Sequence, residues 1–221
     1  MAGSISELPA VPIEGHQPMA VGSADHPMRQ MTRRAAGLVP DAPWDDAARA
    51  EVAAYFDDLA PTWHTRTSPG REAVVADVLE RGVPTDLAAA DVCVELGSGI
   101  GAYTPLLAQR WRRVLAVELA FEMLQRAPAE PGHRVLADGA LLPVADGSVD
   151  AVVLVNCFLF PLEVDRVLPP DGLLVWVNSS GTHTPIHLSS TDVVTALPGR
   201  WEGVASEAGE ATWCVVRRSA A

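Results

Sequence analysis

Glu95-Leu-Gly97-Ser98-Gly99-Ile-Gly101 is the stretch of this 221-residue chain whose residue types and spacing most directly imply ligand chemistry. Glycines at alternate positions allow a sharp turn and a close approach of backbone to ligand, because a Cβ there would collide or forbid the dihedrals. A helix starting directly after them offers unpaired N–H groups to an electron-rich ligand group. About twenty residues further on, Val114-Leu-Ala-Val-Glu118 sets a carboxylate that can accept both hydroxyls of a ribose, as any adenosine-containing ligand requires. Asp138, in Val135-Leu-Ala-Asp138-Gly139, can accept an adenine amino group while the backbone N–H that follows donates to the ring. Gly97 to Ala102 also satisfies the dinucleotide fingerprint GxGxxG/A, so a nicotinamide or flavin ligand is a second reading. The two readings differ in charge: a carboxylate at Glu95 repels a pyrophosphate and welcomes an ammonium or sulfonium group.

Such groups need strands that end where the ligand begins. Asp91 to Leu96 is a short, apolar, partly β-branched run suited to a strand buried on both faces. Similar runs place strands near 113–118, 133–137, 150–156 and 172–178, with helices near 102–111, 120–127, 162–168 and 189–197. Right-handed crossovers of this kind build a parallel, doubly wound α/β sheet whose ligands lie beyond the carboxyl ends of the strands. Residues 201–206 and 211–218 read as a terminal hairpin. Upstream, residues 1–40 carry five prolines and no sustained period, and are expected to be an irregular arm. Residues 41–84 read as a helical cap, with one helix from Trp44 to Asp58 and another from Pro69 to Arg81, and residues 85–221 as the ligand-binding core.

Composition narrows the chemistry. All 16 basic residues are arginine, which excludes a Walker A phosphate loop, a pyridoxal Schiff base and any lysine nucleophile. A net charge of −12 argues against nucleic acid or an anionic membrane as partner. Cys93, Cys157 and Cys214 lie in apolar runs rather than at ligand spacing, which suits buried thiols in a reducing compartment. With no signal-peptide pattern and no run long enough to span a membrane, a cytoplasmic protein is expected.

Several segments resemble one family. Glu95-x-Gly97-x-Gly99-x-Gly101, Leu142-Pro143-x-x-Asp146-x-Ser148-x-Asp150, and Arg166-Val-Leu-Pro169-Pro-Asp171-Gly172 stand in the order and spacing of class I S-adenosylmethionine-dependent methyltransferases. The type is that of small-molecule (type 11-like) enzymes acting in quinone and sterol biosynthesis. Asp171 departs from the usual glycine, in a turn distant from the cofactor. Tyr55-Phe-Asp-Asp-Leu-Ala-Pro-Thr-Trp63 resembles the family's segment that crosses over the cofactor. The resemblance implies a Rossmann-like, mostly parallel seven-stranded sheet with a C-terminal antiparallel hairpin, and S-adenosyl-L-methionine as cofactor. It assigns Glu95, Gly97, Ser98, Gly99 and Gly101 to the methionine part, Glu118 with Leu119 to the ribose, and Asp138 with Gly139 to the adenine. Tyr55 and Trp63 are carried over as cofactor contacts, and Asn156 as a lining of the transfer site.

Displacement at a sulfonium methyl demands alignment and exclusion of water. Only a hydroxyl or carbon acceptor also needs a base; His64, His183 and His187 are the candidates, because imidazole titrates near neutrality. The function expected is methyl transfer to a small-molecule metabolite, with no metal. The alternative is the same fold binding the cofactor without methyl transfer, as a partner subunit or in another reaction. With little chain after Asn156 or between Ser179 and Leu188 to cover the site, residues before 68 are expected to form its lid, and a core lacking them to fold and bind adenosine.

Overall fold

The computed structural model describes residues 4–16, 26–66, 69–85 and 91–219. In chain order they form β1 (Ser4–Glu7), α1 (Pro27–Ala35), α2 (Asp46–Leu59), a 3₁₀ segment (Ala60–Arg66), α3 (Pro69–Arg81), β2 (Val92–Leu96), α4 (Thr104–Leu107), β3 (Arg113–Glu118) and α5 (Phe121–Arg126). There follow β4 (His133–Leu136), β5 (Ala151–Val155), α6 (Pro161–Val167), β6 (Leu173–Asn178), a 3₁₀ turn (Gly181–His183), α7 (Ser190–Ala196), β7 (Trp201–Ala208) and β8 (Ala211–Arg218). No helix among the described residues is long and apolar enough to cross a membrane.

All strands join one sheet in the order β1-β7-β8-β6-β5-β2-β3-β4. From β4 through to β6 every pairing is parallel, whereas β8 runs antiparallel to both β6 and β7. The α/β class, the parallel doubly wound centre and the terminal hairpin are those expected. Strands β5 and β6 are buried along their whole length, which is why they read as unbroken apolar runs. Alternation along the strands feeds two cores. Val94, Leu96, Val152, Leu154 and Trp176 face α6 and α7 together with Met28, Met31 and Val52. Cys93, Val153, Val155 and Val175 face Val74, Val75 and Val78 of α3, with Leu107 and Trp111.

Four expectations need correction. The sheet has eight strands rather than seven, because Ser4–Glu7 pairs parallel with Glu202–Ala205 on the edge of β7. Residues 1–40 are accordingly not an irregular arm throughout: they contain β1 and α1, the latter begun by His26, whose ring accepts from the Met28 N–H, and by Pro27. Residues 41–84 do not form one cap either, since α3 lies in the sheet's own packing layer and Ala48 and Val52 of α2 enter the main core. The helix expected over 102–111 is regular only over Thr104–Leu107; beyond it Gln109 and Arg110 close i→i−3 bonds to Leu106 and Leu107.

Candidate functional site

The sheet changes winding direction between β2 and β5, whose carboxyl ends lie side by side with Leu96 opposite Leu154. Gly97, Gly99 and Gly101 follow β2 with φ of 70°, 56° and 74°, a left-handed backbone that admits glycine without strain. The loop is tied down by Gly97 and Ser98, whose N–H groups donate to the Val117 carbonyl at 2.9 and 3.0 Å. A Cβ on Gly97 would run into the Cys157 side chain, so the loop and the residue after Asn156 are fitted to each other. Above the loop is a cavity lined by Gly97, Ser98, Gly99, Glu118, Leu119, Asp138, Gly139, Asn156 and Trp63, nine of the residues named from the sequence. Ser98 Oγ is buried there with no hydrogen-bond partner among the described residues, an orphaned group that a polar ligand would satisfy.

Glu118 ends β3 and is 8% exposed. Its Oε2 accepts from the Gly99 N–H at 2.8 Å, and its Oε1 from the N–H groups of Leu119 and Ala120, both at 2.8 Å. Burial raises its carboxyl above the usual range, and those three bonds oppose the rise. The carboxylate thus fastens β3 to the glycine loop while keeping acceptor capacity toward the cavity. Asp138 follows β4, where its Oδ1 accepts from the Ala140 N–H at 2.9 Å. The Trp44 indole N–H reaches both carboxylate oxygens, at 3.2 and 3.1 Å, and its ring lies 5.0 Å from Phe160, edge to face. Space beside Gly139 is closed by Phe160 and Leu96, which a Cβ there would meet at 2.7 and 2.9 Å.

Glu95 is placed differently from the expectation. The strand period of two turns its side chain with Cys93 toward the α4 face, where its Oε2 accepts from Thr104 Oγ1 at 2.5 Å and its Oε1 is buried without a partner. Burial raises its carboxyl to about 8, against the Thr104 bond, with Glu118 adding to the rise. It lines neither cavity of the site and is held largely neutral near pH 7, so the charge argument drawn from it does not apply to this geometry. Gly101 also stays out of the cavity wall; its N–H returns to the Ser98 carbonyl at 2.8 Å to close the turn.

Asn156 carries φ of 51°, an uncommon conformation for a side-chain-bearing residue. Its amide is engaged at both ends, Nδ2 donating to Ser179 Oγ at 2.7 Å and Oδ1 accepting from the Ser179 N–H at 2.8 Å. That grip fixes a wall rather than a proton carrier. Asn156, Phe56, Trp63, Arg66, Arg71 and Ile186 line the first cavity and also an adjoining one of about 260 Å3. Tyr55 lines only this second space, not the first. Trp63 lies over the loop, its Nε1 3.6 Å from where a Gly99 Cβ would stand, and meets Phe56 edge to face at 5.7 Å. His64 is exposed, and His64, His183 and His187 line neither cavity.

Residues missed from the sequence are Arg66, Arg71, His26, Cys157 and the contact of Trp44 with Asp138. Arg71 was legible, since it shares a helical face with Val74, Val75 and Val78 and so had to be buried. His26 lines the second cavity with its Nδ1 already accepting from the Met28 N–H at 3.1 Å, which in the neutral ring leaves the proton on Nε2. The Cys157 thiol, pushed up by burial, stays protonated.

Among solved structures, DhpI in complex with SAH is similar over 78% of this chain and 98% of its own, at 18% identity and a TM-score of 0.61. A Methanococcus maripaludis protein described as an S-adenosyl-L-methionine-dependent methyltransferase is similar over 77% of this chain and 94% of its own, at 17% identity and a TM-score of 0.55. A Pyrococcus horikoshii protein is similar over 72% and 96%, at 14% identity and 0.56. Five further structures, with TM-scores of 0.40–0.42, are covered over 44–59% of their length, so the chain spans about half of each. No curated protein sequence matches the chain. A family model described as methyltransferase domain matches residues 94–176, from the middle of β2 into β6. Those residues are similar to a methyltransferase domain, and the chain has the fold of the class I methyltransferases among these structures.

Proposed function

We propose that the protein transfers a methyl group from S-adenosylmethionine to a small-molecule acceptor. The observation that carries this reading is the meeting of the Gly97–Gly99 backbone, Glu118 and Asp138 in one cavity that shares Asn156 and Trp63 with a second. Glu118 and Leu119 would hold the ribose, Asp138 and Gly139 the adenine, and the loop with the orphaned Ser98 hydroxyl the methionine part. When bound, the cofactor supplies a sulfonium methyl, which passes to the acceptor as its bond to sulfur breaks and sulfur keeps the electron pair. The chain's own contribution is alignment and dryness. Asn156, clamped by Ser179, sets the wall between the two spaces, while Trp63 and Phe56 cover the loop and exclude water. His26, a histidine lining the second cavity, has its Nδ1 occupied by the Met28 N–H, so an acceptor that is nucleophilic without first losing a proton suits this site better than an alcohol.

Titration calorimetry tests the binding half. S-adenosylmethionine and S-adenosylhomocysteine are expected to bind and nicotinamide dinucleotides not to, and Glu118→Ala or Asp138→Ala each to cost about 1–3 kcal/mol. Unchanged affinity in both variants would sink the assignment. Release of S-adenosylhomocysteine during incubation with candidate metabolites separates transfer from binding alone.

A further inference from the structure

The second cavity has a chemical character of its own. Its apolar lining comes from Met28, Tyr55, Phe56, Leu59, Trp63 and Ile186, and no aspartate or glutamate borders it. The two cations in its wall, Arg66 and Arg71, have no carboxylate partner among the described residues, although the chain's net charge is −12 and nine other arginines are ion-paired. Arg71 is 8% exposed, and among the described residues its Nη1 donates to the Arg66 carbonyl. A buried guanidinium without a counter-charge is costly, and a second one in the same wall adds repulsion. Arg66 is held ready: Nη1 donates to Thr62 Oγ1 at 3.1 Å, and its guanidinium sits 5.7 Å from the Trp63 ring centre. Planar guanidinium forks match the oxygens of carboxylates and of phosphorus oxyanions.

We infer that this cavity is the acceptor site and that the acceptor is a small apolar molecule bearing a carboxylate or a phosphorus oxyanion, which Arg66 and Arg71 meet. The inference rests on the cofactor reading of the first cavity. It also has to be separated from that reading, because both arginines border both spaces and the cofactor itself ends in a carboxylate.

The test therefore uses protein saturated with S-adenosylhomocysteine, whose carboxylate is already placed. Failure of S-adenosylhomocysteine to bind would be a failure of the cofactor reading. On the loaded protein, phenylacetate and benzylphosphonate are titrated beside the neutral phenylacetamide and benzyl alcohol, by calorimetry and by ligand-observed magnetic resonance. The anions are expected to bind roughly tenfold or more tightly than the neutral compounds, and Arg66→Gln to remove that preference. Whichever anion binds better names the oxyanion class. Arg71→Gln is the second variant, with Arg66→Gln, on the partly exposed 3₁₀ segment, guarding against a fold that fails. The inference is overturned if neutral compounds bind as well as anions, if no anion binds at millimolar concentration, or if the variants weaken S-adenosylhomocysteine while leaving the anions unaffected.

Discussion

Glu95 is a carboxyl group whose proton is held by burial. In the unfolded chain it ionises near pH ~4.3, whereas the folded protein keeps the proton up to about pH 8. The folded state therefore binds more protons between these values, so this stabilisation is complete at low pH and is lost as pH rises toward 8. Glu95→Gln should flatten the loss, narrowing the fall in unfolding free energy between pH 5 and 8 by several kcal/mol, on the order of 1.4 per pKa unit. Parallel urea-denaturation profiles for the two proteins would contradict this. Trp44 gives a second test. Its indole N–H already occupies the Asp138 carboxylate, so an adenine amino group would compete with it. Trp44→Phe keeps a ring beside Phe160 and removes the donor, and is expected to tighten S-adenosylhomocysteine binding several-fold by calorimetry; weaker binding would make Trp44 a support for the site. The carboxylates at 118 and 138 were legible because strand ends and their spacing are local signals. The turn of Glu95 away from the cavity was not, because a strand's period of two says that residues 93 and 95 share a face and not which face the ligand sees.

Elements differed in legibility for the same kind of reason. Strands β2, β5 and β6 are buried runs that state themselves, and α3 was found end to end because Val74, Val75 and Val78 repeat at helical spacing. The helix α1 was missed although Met28, Met31 and Ala35 also repeat that way behind Pro27; five arginine, threonine and glutamine neighbours obscured the stripe. It is held from outside, with Arg29 donating to the carbonyls of Thr182 and Thr184 and Arg33 paired with Asp192. The start of α2 is legible and testable. Asp45 accepts from the Ala48 N–H at 2.8 Å and pairs with Arg34, so Asp45→Ala should lower stability by about 1 kcal/mol in urea unfolding. Because Trp44 precedes this cap, the same variant should loosen Trp44, seen as a change in indole fluorescence; an unchanged emission would show that the Phe158 and Phe160 contacts alone hold the ring.

At the scale of the molecule, the N-terminal segment expected to form a lid is not a detachable part. Met28, Met31, Ala48 and Val52 lie in the main core, and His16 links the Ser179 carbonyl, at 2.7 Å, to the Glu210 N–H. Removing residues 1–67 would therefore strip core and not merely cover, contrary to the clean truncation expected from the sequence. Removing only residues 1–8 should leave the site intact but bare the edge of β7, giving concentration-dependent association in size-exclusion chromatography; a monomeric variant at all concentrations would refute it. The pairing of β1 with β7 has a further consequence, in time. Ser4 finds Glu202 across almost the whole chain, the largest loop this sheet closes, while β2 meets β3 across a span of about twenty residues. Closing so long a loop gains nothing until both ends are ordered, and non-local pairings of this kind slow folding. In a pulse-labelling experiment the amides of residues 4–8 should gain protection after those of β2, β3 and β5, so that the strand ends carrying Glu118 and Asn156 are in place before the sheet is finished.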